Sequence, residues 1–341
     1  MELNLAGTLT DVIVIEDHSQ VGQARRSAQA LAERIGFDAV DAGRAALVVT
    51  ELTTNLLKHA RSGELHCRMV PAGSTQGVEF IAVDRGPGFD AERCLHDGFS
   101  TGGTQGIGLG AVSRQTQVFD TYADHRGSVV LARLYPRSAP SADVRFGVSH
   151  HAMRHETVSG DAWHLAIGRQ GISALVIDGL GHGEEAAVAA TAGAAEFASH
   201  PFDAPEALIA NMHRSMSGTR GGAAAVAQLS ASTGSLKFAG IGNIGARLAT
   251  ANASRGMASH PGIVGAQYRK THTFDYADAT GQLLLLFSDG LQSRWDLADY
   301  PGLVFKHPAV IAAVLHRDYC RGRDDATILI IDLELPNDRG F

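Results

Sequence analysis

The spacing of apolar residues divides the first part of the chain into alternating strands and helices. The pattern predicts a strand over 9–17, helices over 19–36 and 38–60, two paired strands, and a glycine-rich loop over 98–110 that leads into a helix and a closing strand. Ser19 is the expected N-cap of the first helix, and Gly36 is the expected stop. A mixed α/β domain is therefore predicted for this region.

The pattern changes after residues 136–147, which are rich in proline, serine and alanine and have no periodicity. Beyond them, short apolar strands pair as hairpins and alternate with helices. The predicted elements are hairpins over 162–178 and 222–242, helices over 184–199 and 204–216, a strand that ends in Ser-Asp-Gly, a further helix and a last strand. The sequence thus predicts a domain of residues 1–135, a linker of 136–147 and a second domain of 148–337, a division that suits a chain of 341 residues.

Composition and charge exclude several classes of protein. A formal net charge of −7 argues against nucleic acid as the main partner, because phosphate binding requires a basic surface. No apolar stretch approaches a membrane span, and the N-terminus carries acidic residues where a signal peptide requires basic ones. Cys67, Cys94 and Cys320 are far apart and lack a CxxC pair, which predicts neither a disulfide nor a zinc site. We therefore expect a cytoplasmic protein with no membrane contact.

A first group of polar residues suggests a nucleotide site. Glu51, Asn55 and His59 are spaced i, i+4 and i+8, so a helix would place them on one face, although a solvent-exposed face explains that spacing equally well. Two glycine-containing motifs follow in order. These are Asp84 with Gly86 and Gly88 after a strand, and Gly106, Gly108 and Gly110 at the start of a helix, where backbone amides and the helix dipole favour phosphate.

The ordered set ExxxN, DxGxG and GxGxG resembles that of the GHKL ATPases, and within them the anti-sigma-factor serine kinases of the SpoIIAB, RsbW and RsbT type, over about residues 8–135. The resemblance implies that Asn55 coordinates the Mg²⁺ of ATP and that Glu51 is the general base for a serine or threonine hydroxyl. It also implies that Asp84 binds the adenine amino group, within a motif that includes Gly86 and Gly88. The phosphates would be held by Gly106, Gly108 and Gly110.

A second group consists of aspartates at strand ends. Asp178 ends an apolar strand and is followed by a turn with three glycines, and similar positions are occupied by Asp161, Asp289, Asp324 and Asp325. Each alone is most simply a turn aspartate. Together, around short apolar strands, they would repel one another unless divalent cations neutralised them, and all-oxygen ligands favour Mg²⁺ or Mn²⁺ over zinc.

The ordered set GD, DGxGHG, SDG and DDxT resembles the SpoIIE-type branch of the metal-dependent serine/threonine phosphatases, over about residues 145–336. The resemblance implies an α-β-β-α sandwich that binds two metal ions. Asp178 would bridge both ions, the Gly179 carbonyl and Asp161 would serve one, and Asp289 and Asp324 the other. His182 would be structural, and Asp325 a neighbour rather than a ligand. The stretch AGIGNIGARL at 239–248 is more similar to the RsbX type than to phosphatases that have AGHxPP there.

These resemblances imply a two-domain α/β (α+β) protein that removes phosphate from phosphoserine or phosphothreonine by direct attack of water. The expected partners are STAS-domain proteins, the anti-anti-sigma factors and stressosome scaffolds, together with ATP. Two alternatives stay open. The N-terminal domain could be a nucleotide-gated binding switch without kinase turnover, or both domains could be non-catalytic regulators.

Overall fold

The computed structural model describes residues 3–72, 75–90, 108–138 and 143–334. The chain forms two compact units, one of Thr10–Val144 and one that combines Met1–Leu9 with Arg145–Phe341. Its helices are α1 (His18–Arg34), α2 (Ala39–Asn55), α3 (Gly108–Gln115), α4 (Glu184–Ser199), α5 (Pro205–Ser215) and α6 (Pro308–Tyr319), with a π-helical turn at Leu56–Ala60 and 3₁₀ turns at Leu297–Asp299 and Leu303–Phe305.

The strands fall into two groups that correspond to the two units. In the unit Thr10–Val144 they are β2 (Asp11–Ile15), β3 (Gly63–Ala72), β4 (Thr75–Val83), β5 (Val118–Asp124) and β6 (Gly127–Leu134). In the other unit they are β1 (Leu3–Ala6), β7 (Phe146–His151), β8 (Asp161–Gly168), β9 (Gly171–Gly179), β10 (Gly222–Ser230), β11 (Leu236–Ile241), β12 (Gly245–Ala249), β13 (Ser254–Gly256), β14 (Gly262–Ile263), β15 (Gln267–Tyr268), β16 (Phe274–Tyr276), β17 (Leu283–Phe287) and β18 (Ala326–Asp332).

The unit Thr10–Val144 is an antiparallel sheet with helices packed on one face. The strand order is β2-β3-β4-β6-β5, and α1 and α2 bury their apolar faces against it. Asp17, rather than the expected Ser19, caps α1, because its carboxylate accepts bonds from the backbone N–H groups of Ser19 and Gln20 while the Gln20 side chain accepts one from the Asp17 N–H. The helix ends just before Gly36, whose φ of +92° suits glycine.

The second unit consists of two sheets between helices. One sheet has the order β1-β8-β9-β10-β11-β16 and the other β13-β12-β17-β18-β7. Helices α4 and α5 pack on the first sheet and α6 packs on the second, so the layers run helix, sheet, sheet, helix. The apolar residues of β9 and β10 are buried on both faces, as a strand between two layers requires. This architecture confirms the predicted α-β-β-α sandwich.

The first residues of the chain belong to the sandwich, although the sequence assigned them to the N-terminal domain. Strand β1 pairs antiparallel with β8, from Leu3 opposite Ile167 to Ala6 opposite His164. The Asn4 side chain also donates to the Ala198 carbonyl, 3.1 Å away. A four-residue strand is too short to produce a clear alternation, so its pairing could not be predicted locally. The unit Thr10–Val144 is therefore an insertion between β1 and β7 of the sandwich.

Deletion of residues 1–9 should destabilise the sandwich even though those residues lie far from it in sequence. The deletion removes the pairing of β1 with β8, and several backbone hydrogen bonds at about 1 kcal/mol each correspond to a fall of roughly 5–15 °C in the melting temperature. Calorimetry would measure this loss. Replacement of the nine residues by another alternating strand-forming sequence should restore most of it, and an unchanged melting temperature after deletion would contradict the role of β1.

The predicted linker also ends earlier than expected. Strand β7 begins at Phe146, inside the proposed range of 136–147. Phe146 and Val148 are buried, and a Cβ on Gly147 would lie 2.2 Å from the Ala309 backbone of α6. Because this close approach requires glycine, a residue that favours loops in a sequence pattern lies within a strand here.

A buried histidine should make the stability of the sandwich dependent on pH. Burial lowers the pKa of His164 on β8 from 6.5 to about 4. The unfolded chain therefore binds a proton before the folded one as the pH falls, and stability decreases between pH 6.5 and 4 by at most about 1.4 kcal/mol per pH unit. Denaturant titrations should show this slope reduced in His164→Gln but unchanged in His200→Gln, a histidine at an exposed position. Equal slopes in both variants would contradict the assignment.

The described residues include no helix that is long and apolar enough to cross a membrane. Within the same ranges, neither Cys67 nor Cys320 forms a disulfide, and Cys94 lies outside the described residues.

Candidate functional site

The structure brings two of the predicted metal ligands face to face. Asp161 is the first residue of β8, and Asp178 lies near the end of β9. In the antiparallel register of these strands the two residues are direct partners. Like charges directly opposite one another destabilise a sheet. Burial, followed by the charge of Asp178, raises the pKa of Asp161 well above its usual value. A cation bound at this pair would therefore reduce the repulsion between the two buried carboxylates.

The second sheet contributes the other two aspartates. Asp289 follows the end of β17, and Asp324 precedes the start of β18, which pairs with β17. The backbone N–H of Asp289 donates a hydrogen bond to the Asp178 carboxylate. Burial and the charges of Asp289 and Asp324 together raise the pKa of Asp178 to about 7. We refer to Asp161, Asp178, Asp289 and Asp324 as the carboxylate cluster.

Two buried hydroxyl groups orient Asp161. Ser288 Oγ donates to Asp161 Oδ2 over 2.7 Å, and the Thr327 hydroxyl also donates to this carboxylate. Ser288 in turn accepts from the Thr327 backbone N–H at 3.0 Å, and His150 Nδ1 lies 2.7 Å from Thr327 Oγ1. The serine and threonine are fully buried. Both residues lie within the SDG and DDxT motifs of the sequence analysis, which assigned a role to neither of them.

Both carboxylate oxygens of Asp325 accept hydrogen bonds from backbone N–H groups. Oδ1 accepts from the Met153 N–H and Oδ2 from the Gly160 N–H, each at 2.7 Å. The residue is only 3% exposed. These bonds fix the chain immediately before Asp161. The contacts support the interpretation of Asp325 as a neighbour of the cluster.

Asn243 is a further polar partner that sequence analysis did not identify. Its Nδ2 donates to Asp289 Oδ2 at 2.7 Å. Burial raises the pKa of Asp289, as does the charge of Asp324, while the charge of Arg321 lowers it. Asn243 lies in AGIGNIGARL, the stretch where the sequence departs from AGHxPP, so its position was visible but its role was not.

The glycine-rich turn after Asp178 allows close approach of backbone. A Cβ on Gly179 would lie 2.5 Å from the Ala186 carbonyl and 2.8 Å from that of Gly160, so only glycine fits there. His182 of the same turn is about half exposed and lies 3.2 Å from Glu156 through Nδ1. The structural role expected of His182 stays a prediction.

The donor set of the carboxylate cluster fits hard divalent cations. Its members are carboxylates together with the Gly179 carbonyl, so every ligand atom is oxygen, as Mg²⁺ and Mn²⁺ prefer. The described residues contain no group of three or more His, Cys, Asp or Glu side chains that is already arranged to hold a metal ion. Because Mg²⁺ keeps several water ligands and often binds through one or two carboxylates, the two observations are compatible.

The structure also brings together three predicted nucleotide-site residues. Glu51 and Asn55 lie one turn apart near the end of α2, and Gly108 begins α3. A Cβ placed on Gly108 would be 3.4 Å from Asn55 Nδ2 and 3.8 Å from Glu51 Oε2. The start of α3 therefore faces both polar side chains. Gly110 is buried within α3, and Gly106 lies outside the described residues.

His59 does not continue the face of Glu51 and Asn55. The α-helical repeat ends at Asn55, and Leu56–Ala60 form a π-helical turn. A π-helical turn contains more residues per turn than an α-helix, so the i, i+8 relation predicted for His59 is lost. The polar face at this site therefore consists of Glu51 and Asn55.

Asp84 is held rigidly at the edge of the same unit. Its Oδ1 accepts from the Gly86 N–H at 2.7 Å and from the Ser128 N–H at 3.2 Å, and its Oδ2 accepts from the Ser128 hydroxyl. Gly88 has a φ of +72°, and a Cβ there would lie 2.2 Å from the Asp124 carbonyl. Both glycines thus let the turn close around a fixed, partly buried carboxylate.

Comparison with known proteins supports both halves of this description. The family of histidine kinase-like ATPase domains matches residues 15–134. The serine/threonine-protein kinase RsbT of Bacillus subtilis is 35% identical over 97 residues, which are 28% of this chain and 73% of RsbT. This similarity confirms the expected relation of the N-terminal region to anti-sigma-factor kinases.

Solved structures are similar to a larger part of the chain. One, from work on the bacterial stressosome as a modular system adapted to control secondary messenger signaling, is 27% identical with a TM-score of 0.51, and it covers 55% of this chain and 99% of its own. The matched 55% of this chain is longer than the unit Thr10–Val144, so the similar region includes part of the sandwich. A structure of RsbX in complex with magnesium is 19% identical with a TM-score of 0.47, covering 54% of this chain and 92% of its own. The chain belongs to the histidine kinase-like ATPase family through residues 15–134, which are related to RsbT, and it joins that domain to a unit in which two antiparallel sheets lie between helices.

Proposed function

We propose that this protein is an ATP-binding serine/threonine phosphatase that depends on two Mn²⁺ or Mg²⁺ ions and acts on STAS-domain phosphoproteins. The observation that carries the proposal is the carboxylate cluster, in which Asp161 and Asp178 are direct strand partners and the N–H of Asp289 bonds to Asp178. Carboxylates with strongly shifted pKa values are concentrated at functional sites, and a bound cation would offset the repulsion between these aspartates. When bound, two such ions activate water and neutralise the charge of a phosphoryl group.

Each residue of the cluster has a distinct part in holding the ions. Asp178 lies between Asp161 on its own sheet and Asp289 on the other, which supports a shared role for it. Asp161 and the Gly179 carbonyl would serve one ion, and Asp289 and Asp324 the other. The hydroxyls that bond to Asp161 keep its carboxylate in one orientation, so that little reorganisation is needed when an ion binds.

The proposed substrates follow from two relatives. RsbT is a serine/threonine kinase, and one structurally similar protein comes from work on the bacterial stressosome. These similarities support phosphoserine or phosphothreonine on STAS-domain proteins, the anti-anti-sigma factors and stressosome scaffolds, as the substrate class. The direct test is incubation of such proteins, in phosphorylated form, with the protein and Mn²⁺ or Mg²⁺, followed by mass measurement of the phosphoprotein. Retention of all phosphate would contradict the proposal.

A second activity is proposed for the N-terminal domain, namely phosphorylation of serine or threonine by ATP. Gly108 lies against Asn55 and Glu51, so a phosphate held at the start of α3 would be close to a metal-binding amide and a carboxylate base. A nucleotide-gated binding switch requires ATP binding but no transfer. Transfer of labelled phosphate from ATP to an unphosphorylated STAS-domain protein distinguishes the two, because the switch predicts none.

Asp84→Asn should abolish ATP binding and leave hydrolysis of p-nitrophenyl phosphate by the sandwich intact. The substitution replaces an acceptor-only carboxylate, which the Gly86 and Ser128 N–H groups position, with an amide that presents a donor to the adenine amino group. Isothermal calorimetry should show at least about a 100-fold loss of ATP affinity, because sites built to hydrogen-bond a ligand group can reject a mismatched partner by about 10⁴-fold or more. Asp120→Asn, on β5 of the same unit, is the matched control. An unchanged affinity would mean that the turn after Asp84 does not bind adenine.

A further inference from the structure

A cavity next to the carboxylate cluster has a chemical character opposite to that of the cluster. It is open to solvent, its volume is about 520 Å³, and it is lined by Gln292, Cys320, Arg321 and Arg323. Two of the four lining side chains are guanidinium groups, and a third is an amide that can also donate hydrogen bonds. The cavity therefore presents positive charge and donors, which suit an anionic ligand.

The cavity wall is made of two segments that are bonded to each other. The Arg321 N–H donates to the Gly290 carbonyl at 2.9 Å, and the Gln292 N–H donates to the Tyr319 carbonyl at 2.9 Å. These backbone bonds hold the lining residues in place independently of their side chains. The cavity is thus supported by paired backbone rather than by an isolated loop.

Both segments run directly into the carboxylate cluster. Asp289 immediately precedes Gly290 at the start of one segment, and Asp324 immediately follows Arg323 at the end of the other. The Arg321 N–H bonds at 2.9 Å to the carbonyl of Gly290, the residue that directly follows Asp289, so the arginine lies close to the cluster. A ligand in the cavity would consequently lie beside the group that is bound at the carboxylate cluster.

The two guanidinium groups are available to a ligand. Neither Arg321 nor Arg323 forms an ion pair with a carboxylate of the described residues, and both residues are exposed. Arg317, in contrast, is buried and is paired with Asp318 at 2.7 Å. Guanidinium forks match carboxylate and phosphoryl oxygens in geometry as well as in charge. Two such groups around one cavity are therefore suited to recognition of an anion.

We propose that this cavity binds an acidic side chain of the phosphoprotein substrate, within a few residues of the phosphorylated serine or threonine. This inference rests on the proposed phosphatase function of the carboxylate cluster. An extended peptide advances about 3.4 Å per residue, so a side chain next to the phosphorylated position reaches a neighbouring cavity without a bend. The volume of about 520 Å³ accommodates an aspartate or glutamate side chain. The cavity would thereby select acidic phosphorylation sites.

Matched phosphopeptides test this selection. One peptide carries Asp or Glu on both sides of the phosphoserine, the second carries Asn or Gln at the same positions, and the third carries a second phosphoserine there. We expect kcat/KM in the presence of Mn²⁺ to be about 10-fold higher for the acidic peptide than for the amide peptide, the ratio that a single charge-assisted contact produces. The double substitution Arg321→Gln with Arg323→Gln should bring that ratio to about one.

Two further variants make the test specific. Arg169→Gln removes an exposed arginine from the turn between β8 and β9 and should keep the preference for the acidic peptide. Arg321→Glu with Arg323→Glu should reverse the preference towards a peptide with flanking lysines. Because each readout is a ratio between peptides measured on one protein, a general loss of activity or stability does not alter it.

The outcomes separate this proposal from the proposed function. Equal kcat/KM for the acidic and amide peptides, with normal Mn²⁺-dependent hydrolysis, would overturn the acidic-side-chain proposal and leave the phosphatase intact. Absence of hydrolysis of every peptide and of p-nitrophenyl phosphate would overturn the proposed function. A preference for the doubly phosphorylated peptide alone, lost in the arginine double variant, would overturn the choice of a carboxylate as the ligand.

Discussion

Asp178→Asn is expected to lower Mn²⁺- or Mg²⁺-dependent hydrolysis of phosphoserine by at least about 100-fold. Loss of a group that only supports a metal ligand typically costs 10- to 100-fold, and a shared ligand should cost more. Asp178 is the strand partner of Asp161 on the first sheet, and it also accepts a bond from the N–H of Asp289, next to the second sheet. An asparagine there keeps the size of the side chain but removes the negative charge that would neutralise two cations.

This effect should be accompanied by weaker metal binding and unchanged folding. Because burial and neighbouring charges disfavour the ionised form of Asp178, its substitution by a neutral amide relieves repulsion in the metal-free protein, so the melting temperature should stay the same or rise. Calorimetric titration with Mn²⁺ and steady-state kinetics would measure the two effects. Asp275→Asn, at an exposed position on β16, is the matched control and should behave as the unsubstituted protein. Full activity of Asp178→Asn, or activity in the presence of a chelator, would exclude the two-metal assignment.

The second large effect concerns the coexistence of opposing activities in one chain. If both sites acted on the same residue, phosphate would be added and removed with a net loss of ATP. Different target residues avoid this cycle without additional conformational machinery. We therefore expect Asp178→Asn to leave phosphate on one class of site in a partner that is already phosphorylated. Glu51→Ala should lower phosphorylation of another class by about 100-fold or more while dephosphorylation continues at the normal rate.

Site-resolved mass spectrometry of a STAS-domain partner, phosphorylated beforehand at the sites that the sandwich clears and then incubated with ATP and Mg²⁺, would separate these classes. The Asp178→Asn variant reports the sites that the sandwich clears, and the Glu51→Ala variant reports the sites that the ATPase domain fills. Glu33→Ala, at an exposed position of α1, is the control for the second variant. Finding the same serine filled by one site and cleared by the other would contradict separate targets and indicate a gated switch.

The sequence predicted both folds through the resemblance of its ordered motifs to known families, and it predicted most of the residues brought together at each site. The site residues could be found because their signals are local: an aspartate directly after an apolar strand, or a glycine in the turn that follows it, is recognisable within a few residues. Asp161, Asp178, Asp289 and Asp324 could be grouped from such signals before the topology was known. The same holds for Glu51 and Asn55, which are separated by a single helical turn.

What the sequence by itself determined was therefore the set of chemical groups and the elements that carry them. The tertiary structure decided which groups meet. The direct pairing of Asp161 with Asp178 depends on strand register, and the support from Ser288, Thr327 and Asn243 depends on contacts between residues that are distant in sequence. Long-range contacts also add β1 to the sandwich, because a short edge strand is stabilised by its neighbour rather than by its own sequence. Local patterns report the propensity of a segment, whereas register, insertion and hydrogen-bond partners are set by the burial and pairing of the whole fold.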